Sequence, residues 1–416
     1  MIASDKILAM TSFQAGGKNK LCLSLYKLNI VFVFIRGWFK RDNPLYPPLL
    51  RGIYGYNFTF PAFSAVNTAK EGNMKLLLNT LYVMTQGAYL TLDHETVKVE
   101  VEGKIQLQVP LHHLGAIFTM GNVMMSPFLM HQCTENGKAV VFLGMNGQFL
   151  ARVVGKTTGN VLLRQAQYEA VRDAEKAASI ARHIVAAKLQ NSRQILLRGA
   201  RETENTEIES GLRHAAEALS HAIHELKKSS TIDETRGMEG ISANAYFHVF
   251  DTMVKENRET FIMKSRNRRP PRDPMNALLS FLYTLLLNDC VSALEGVGLD
   301  PQMGFLHALR PGRPSLGLDL MEELRSVLAD RLALTLINLK QLTEKDFEGR
   351  TGGAVYLNEA GRKTVVVAYQ KRKQDEFTHH VLEEKISFGL IPHVQARLLA
   401  RHLRGDMEEY IPILYS

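Results

Sequence analysis

The hydrophobic pattern of this chain changes its period near residue 159, and this change limits the fold more than any other feature. From residue 89 to residue 109, apolar and polar side chains alternate on either side of Glu102-Gly103. Such alternation predicts an antiparallel hairpin with one face in water. Residues 140–153 repeat the pattern around Asn146-Gly147, a strong signal for a tight hairpin turn. The sequence therefore predicts a small β domain before residue 159.

After residue 159, apolar side chains recur every three or four positions, as on one side of a helix. We expect an alanine-rich helical region first and another helix at residues 214–228, with an acidic loop between them at residues 202–210. Residues 278–294 are apolar nearly all round, which indicates a buried central helix. The predicted class is α+β, with a small N-terminal antiparallel β domain at residues 74–158 and a larger α-helical domain at residues 159–416.

Residues 1–73 differ from the rest of the chain in charge and pattern. They carry nine basic and three acidic residues, a net charge of +6, while the whole chain carries +8. Their apolar run is interrupted by Lys27 and is too short and too polar at its flanks to span a membrane. It is also an indifferent signal peptide, because no clear small-residue cleavage site follows it. The codons for Lys70-Glu71-Gly72 can form a ribosome-binding sequence just before Met74. We therefore interpret residues 1–73 as a misassigned extension, with translation starting at Met74.

The remaining composition narrows the class of protein. Cys22, Cys133 and Cys290 are far apart and form no CxxC pair, so we expect a cytoplasmic protein without a disulfide scaffold or a cysteine zinc site. The phosphate-binding pattern GxxxxGK[ST] does not occur, which argues against a requirement for NTP. Since the residues after 73 carry a net charge of only +2 (8 − 6), any DNA-binding argument depends on local basic patches.

A histidine and three carboxylates lie close together in GFLHALRPGRPSLGLDLMEEL, residues 304–324. His307 ends an apolar run, a Pro/Gly/Arg turn follows, and the next helix carries Asp319, Glu322 and Glu323. Helical spacing places the acids opposite the apolar stripe, where they can serve simply as partners of the helix dipole. Alternatively, His307 folds back onto them, because an imidazole and carboxylate oxygens suit Mg²⁺ or Mn²⁺. The spacing leaves both interpretations open.

Two further segments carry candidate functional residues. In GMEGISANAYF, residues 237–247, we expect Glu239 to open a helix, where an acid is the usual dipole partner. The basic loop KSRNRRPPRDP, residues 264–274, is held extended by its prolines. Guanidinium groups match phosphate geometry, so this loop predicts contact with a DNA backbone, with a merely solvated charge cluster as the alternative. Its cations are Lys264, Arg266, Arg268, Arg269 and Arg272.

Together, the three segments closely resemble the CRISPR-associated integrase family, the universal spacer-acquisition nucleases, and most of all its type I-C branch. The resemblance covers residues 74–416 and stops at the predicted extension. It implies a β domain, a helical catalytic domain and one Mg²⁺ or Mn²⁺ ion. Carried over by motif position, it makes Glu239, His307 and Glu322 the metal ligands and Asp319 an auxiliary catalytic acid. Glu323 is then expected to be a surface residue.

The resemblance also implies a reaction and a set of partners. A DNA 3′-hydroxyl would attack a phosphodiester at the leader-proximal CRISPR repeat, while attack by water would give endonuclease activity. The expected partners are double-stranded DNA, as spacer precursor and as leader and repeat, and a second copy of the chain. A dimer of a small ferredoxin-like CRISPR protein would bridge two such homodimers, with the β domain as the dimerisation and docking module. The type I-C resemblance further suggests an iron-sulfur nuclease partner, and no membrane partner is expected.

Two other functions are compatible with these residues. The chain could be a non-catalytic DNA-binding scaffold of the acquisition complex, its acids being dipole partners only. It could also be a general metal-dependent DNA-repair nuclease that cuts branched DNA and joins nothing. Removal of His307 would separate a catalyst from a scaffold, because only the catalyst would lose strand transfer while keeping DNA binding.

Overall fold

The computed structural model of the chain describes residues 30–33, 80–145, 147–156, 161–263, 265–267 and 270–415. The predicted extension therefore lies outside the described residues, with the exception of one strand, β1 (Ile30–Val33). Translation from Met74 stays a prediction.

The N-terminal region is built from two sheets and one short helix. The strands are β1, β2 (Thr80–Val83), β3 (Tyr89–Asp93), β4 (Thr96–Val101), β5 (Lys104–Pro110), β6 (Ala116–Met120), β7 (Met124–Met125), β8 (Ala139–Leu143) and β9 (Phe149–Val153), with helix α1 (Pro127–Glu135) before β8. A five-stranded sheet has the order β1-β2-β6-β8-β9, and a four-stranded sheet has the order β5-β4-β3-β7.

Both predicted hairpins are confirmed. β4 and β5 pair antiparallel across Glu102 and Gly103, which have φ angles of 51° and 71°, as a two-residue hairpin turn requires. β8 and β9 also pair antiparallel, and Gly147 in their turn has a φ of 77°. The expectation of a wholly antiparallel domain is wrong, however, because β2–β6, β6–β8 and β3–β7 are parallel pairs. The crossovers that join parallel strands leave no short-range signal.

The five-stranded sheet forms the boundary between two cores. Successive side chains of a strand point to opposite faces, so Leu81 and Val83 pack against the four-stranded sheet while Tyr82 joins the core of the helical region. Gln370 Nε2 also donates a 2.7 Å hydrogen bond to the Tyr82 hydroxyl across this boundary. The β-rich region thus supports the helices directly.

The helical region follows, which confirms the predicted α+β order. Its helices are α2 (Val161–Arg172), α3 (Ala174–Glu202), α4 (Thr206–Leu226), α5 (Ile232–Phe250), α6 (Pro274–Val297), α7 (Ser315–Leu324), α8 (Arg331–Asn338), α9 (Glu359–Gln374) and α10 (Ile391–Leu403). Two small hairpins are formed by β10 (Phe347–Arg350) with β11 (Ala354–Leu357) and by β12 (Glu376–Thr378) with β13 (Lys385–Ser387). A π-helical segment, Arg325–Asp330, joins α7 to α8.

Helix α6 is the predicted buried central helix. Its length and apolar composition would suffice to cross a membrane, but 72% of its most apolar window is buried inside the fold. It therefore serves as the core against which α7 and α10 pack.

Two expectations about helix ends are wrong. The loop expected at residues 202–210 is confined to residues 203–205, because α4 begins at Thr206, where Asn205 caps the helix by accepting from Glu207 N at 2.9 Å. Likewise, Glu239 does not open a helix. α5 begins seven residues earlier, at Ile232, behind a capping box formed by Thr231 and Glu234. Glu239 therefore lies in the helix interior, where the dipole explanation of its charge does not apply.

Candidate metal-binding active site

The candidate site forms where three helices and one loop meet. α3 contributes Lys188, α5 contributes Glu239, and α7 contributes Asp319 and Glu322. His307 lies in the loop between α6 and α7. The structure thus brings together all four residues that the sequence analysis assigned to catalysis.

The acids of α7 are buried, although helical spacing placed them opposite the apolar stripe. Asp319 and Glu323 are 0% exposed and Glu322 is 3% exposed. The reason is that α7 packs against α3, α6 and α10 together, so that little of its circumference faces water. Carboxylates at such depth require specific partners.

Asp319 folds the histidine loop onto the start of α7. Its Oδ2 accepts hydrogen bonds from Phe305 N at 2.6 Å and Leu306 N at 3.0 Å, and its Oδ1 accepts from His307 N at 2.9 Å. Gly304 makes this approach feasible, since a Cβ there would lie 2.6 Å from the Ser315 carbonyl carbon. The Gly304-to-His307 backbone is therefore fixed by one side chain.

The same carboxylate determines which nitrogen of His307 is free. His307 Nδ1 lies 2.7 Å from Asp319 Oδ1, and because an ionised carboxylate can only accept, Nδ1 carries the proton. The lone pair is then on Nε2, which lies 3.8 Å from Glu322 Oε1. A carboxylate behind the distal ring nitrogen is the arrangement that orients histidine ligands in metal sites.

Two cations hold the charge of Glu322. Arg325 Nη2 lies 2.9 Å from Glu322 Oε1, and Lys188 Nζ lies 2.8 Å from Oε2 while also binding Glu239 Oε1. Burial alone would raise the pKa of Glu322, but Arg325, Lys188 and His307 together outweigh it and lower the pKa to about 2. Glu322 is therefore an ionised ligand candidate at neutral pH.

The donor set fits a hard or borderline divalent ion. Two carboxylates and a free imidazole nitrogen are the ligands that Mg²⁺ or Mn²⁺ accept in proteins. Among the described residues, no three His, Cys, Asp or Glu side chains stand in ready-made metal geometry. At this site the Lys188 ammonium lies between Glu239 and Glu322 and bridges them as a metal would.

Glu323 belongs to a structural network on the other side of α7 and is not the expected surface residue. It accepts hydrogen bonds from the Tyr410 hydroxyl at 2.5 Å, Ile413 N at 2.9 Å and Gln395 Nε2 at 3.1 Å. Burial raises the pKa of Glu323 to about 7, and the hydrogen bond from Tyr410 opposes the rise. These contacts tie the C-terminal segment to the helix that carries Asp319 and Glu322.

Sequence reasoning missed Lys188, Arg325 and Arg236. Arg236 Nε donates a 2.6 Å hydrogen bond to Leu306 O and so links α5 to the histidine loop. A signal for Lys188 existed, because it falls four residues after Ile184 on the apolar side of α3. A lone lysine on a buried stripe requires an anionic partner.

The basic loop is described only in part. Lys264, Arg268 and Arg269 lie outside the described residues. Arg272 is exposed. Arg266, by contrast, donates to Asn276 Oδ1 at 2.5 Å and to Asn267 O at 2.7 Å, and it stacks over the Tyr283 ring. The guanidinium of Arg266 therefore contributes to the loop's own structure.

The fold and the site together describe one class of protein. A β-rich region packs against a helical region, and the helical region contains a cluster of buried carboxylates beside a histidine. The family model of CRISPR associated protein Cas1 matches residues 81–371, and the chain belongs to this family. It is 55% identical over 342 residues to a CRISPR-associated endonuclease Cas1 of Moorella thermoacetica, covering 82% of this chain and 100% of the relative. A corresponding protein of Rhodospirillum rubrum is 48% identical, covering 82% of this chain and 99% of the relative. The type I-C branch stays a prediction.

Solved structures share the fold. A CAS1 protein from Thermotoga maritima superposes with a TM-score of 0.68 at 25% identity, covering 80% of this chain and all of the other. A casposase bound to integration product gives 0.69 at 21% identity, covering 81% of this chain and 94% of the other. A chain of a Cas6-RT-Cas1–Cas2 complex gives 0.68 at 22% identity, covering 80% of this chain and 36% of the other. The last two likenesses establish the fold alone.

Proposed function

We propose that this protein is a divalent-metal-dependent DNA integrase and endonuclease of CRISPR adaptation. Membership of the Cas1 family and the name endonuclease carried by its relatives support the nuclease assignment. The single observation that carries the proposal is the Asp319–His307–Glu322 arrangement. It leaves an imidazole lone pair facing an ionised carboxylate in a buried site.

Glu239, His307 and Glu322 would hold Mg²⁺ or Mn²⁺. When bound there, the ion would polarise the phosphodiester and stabilise charge on the attacking or leaving oxygen. Asp319 keeps the proton on His307 Nδ1 and fixes the ring, which is a positioning role. Burial of Glu322 excludes bulk water from this side of the site.

The proposed reaction forms one phosphate ester bond and breaks another. A DNA 3′-hydroxyl attacks the phosphorus at the repeat boundary, and the 3′-oxygen of the cut strand leaves. Replacement of the DNA hydroxyl by water gives hydrolysis and therefore nuclease activity. Because one ester replaces another, no NTP is required.

DNA contact is proposed for the basic loop, through Arg272 together with Lys264, Arg268 and Arg269. Arg272 is exposed and can reach a phosphate without breaking an internal contact network. Arg266 belongs to this set by sequence, but its described contacts favour a supporting role within the loop.

The proposed assembly comprises a homodimer and a small ferredoxin-like CRISPR partner that bridges two homodimers. A protein of the same fold forms part of a complex with Cas2, which supports such a partner. The β-rich region is the proposed docking module. An iron-sulfur nuclease partner and a cytoplasmic location complete the proposal.

The decisive experiment combines the full chain, its small CRISPR partner, a supercoiled plasmid with leader and repeat, and a labelled duplex with 3′-hydroxyl ends, in Mn²⁺ or Mg²⁺. The variants are His307→Ala and Glu322→Gln. Glu217→Gln on the exposed side of α4 is the matched carboxylate control. We expect label joined at the repeat boundary by the wild type and the control, but not by either site variant.

The other outcomes correspond to other functions. Binding of the duplex without any joining by the wild type would favour the scaffold. Cutting of branched DNA without joined product would favour the repair nuclease. Joining by both site variants would mean that the catalytic centre lies elsewhere in the chain.

A further inference from the structure

Lys188 is a lysine inside the helical core. It is 7% exposed, and a buried ammonium is strongly unfavourable unless it is paired. Its partners are two of the proposed metal ligands, Glu239 and Glu322, with Glu322 Oε2 at 2.8 Å. In the absence of metal, Lys188 therefore supplies the positive charge that keeps these two carboxylates close to each other.

The charges of the site disfavour simultaneous binding of the Lys188 ammonium and a divalent ion between the same carboxylates. Glu239 and Glu322 face the ammonium of Lys188 and the guanidinium of Arg325, and Asp319 lies behind His307. With three carboxylates and two cations, the site has a net charge of −1 (−3 + 2). Addition of a divalent ion would bring the total to +1. Because the ion would need oxygens that Lys188 now binds, the ammonium and the metal compete for the same ligands.

A small cavity next to Lys188 offers the ammonium another position. Its walls include Lys188, Ser242, Ser326 and Asp330, and also the cation Arg325, whose charge the Asp330 carboxylate faces. The cavity has room for roughly one water-sized group. The hydroxyls of Ser242 and Ser326 are buried and have no hydrogen-bond partner within the described part of the chain. Buried hydroxyls are nearly always paired. The oxygens of these two hydroxyls can therefore accept hydrogen bonds from an ammonium that enters the cavity.

We propose that Lys188 is an internal stand-in cation that exchanges with the metal. Without metal its ammonium bridges Glu239 and Glu322. When a divalent ion binds, the ammonium moves into the adjoining cavity, where the oxygens of Ser242, Ser326 and Asp330 can accept its three N–H groups. This inference rests on the proposed function. Beyond that function, it states that this exchange sets the affinity for metal, because the ion must displace the Lys188 ammonium from Glu239 and Glu322.

The test measures binding of Mn²⁺ alone to the full chain, by electron paramagnetic resonance of free Mn²⁺ and by calorimetry. Lys188→Met retains the alkyl stem and removes the competing charge, so we expect Mn²⁺ to bind about tenfold more tightly or better, equivalent to roughly 1.4 kcal/mol. Lys138→Met is the matched control. Its ammonium is half-buried and donates to Leu114 O in the β-rich region, and its loss should leave Mn²⁺ affinity unchanged.

A second variant predicts a change of opposite sign. Ser242→Ala combined with Ser326→Ala removes the acceptors of the displaced ammonium but leaves its contacts with Glu239 and Glu322 intact. We expect weaker Mn²⁺ binding and an unchanged or higher melting temperature without metal, because two unpaired buried hydroxyls are gone. This variant decides the question if Lys188→Met does not fold.

Each outcome bears on the inference. Tighter binding by Lys188→Met together with weaker binding by the double serine variant supports the exchange. If Lys188→Met does not fold, weaker binding by the double serine variant supports it. Equal or weaker binding by folded Lys188→Met overturns it while leaving the metal site in place, as does unchanged binding by the double variant. Absence of Mn²⁺ binding in every variant and in the wild type overturns the proposed metal-dependent function as well.

Discussion

Replacement of Asp319 by asparagine would weaken the attachment of the histidine loop to α7 without changing side-chain size. Asp319 accepts four hydrogen bonds, from Phe305 N, Leu306 N, His307 N and His307 Nδ1, at 2.6 to 3.0 Å. An amide keeps one acceptor oxygen and turns an NH₂ group toward the other two donors, so two bonds are lost. At about 1.5–3 kcal/mol for each bond to a charged group, the loss is about 3–6 kcal/mol.

Differential scanning calorimetry of the full chain can measure this effect. At about 2 °C per kcal/mol for a domain of this size, the melting temperature of Asp319→Asn should fall by roughly 6–12 °C. The control is Asp173→Asn at the N-cap of α3, where Asp173 Oδ1 accepts from Glu175 N and Lys176 N. Asparagine caps helices about as well as aspartate, so the control should shift by about 1 °C or less. An Asp319→Asn shift no larger than that of the control would refute the reasoning.

Further predictions concern charge, DNA contact and the C-terminal network. The pKa of Glu322 is about 2 against its usual 4.5, so its stabilising effect is present above pH 4.5 and is lost as the pH falls toward 2; the loss is roughly 3 kcal/mol. Melting curves of the wild type from pH 5 to pH 2 should show this loss of stability, whereas those of Glu322→Gln should lack it. Arg272→Ala should reduce the salt slope of DNA binding by about one, whereas Arg266→Ala should instead lower the melting temperature; identical effects of both variants would count against this distinction. Tyr410→Phe should raise the pKa of Glu323 above about 7 and cost about 1–2 kcal/mol of stability, and a titration that leaves this pKa unchanged would exclude the contact.

The parts of the fold that short-range patterns specify were predictable. The β4–β5 turn at Glu102-Gly103 and the apolar composition of α6 are local properties, and both predictions are confirmed. The parallel pairing of β2 with β6 depends on residues more than thirty positions apart. Nothing in the alternation of either strand specifies its partner, so the mixed sheets could not be predicted from the pattern.

Some missed features did have a local signal. Thr231 and Glu234 form the Ser/Thr-x-x-Glu pattern of a capping box, which would have placed the start of α5 correctly and Glu239 inside the helix. Asn205 before Thr206 is an ordinary N-cap signal within the segment expected to be a loop.

The neighbouring residues Glu322 and Glu323 show why the sequence alone could not rank the acids of α7. Both are buried, yet the pKa of Glu322 is lowered to about 2 and that of Glu323 is raised to about 7. Consecutive helical residues point about 100° apart, so Glu322 faces Lys188 and Arg325 while Glu323 faces the Tyr410 network. A cation favours an ionised partner, and burial with mainly neutral donors favours a protonated one. Because an ionised carboxylate binds a cation without first losing a proton, these opposite pKa shifts make Glu322 the better ligand candidate of the two.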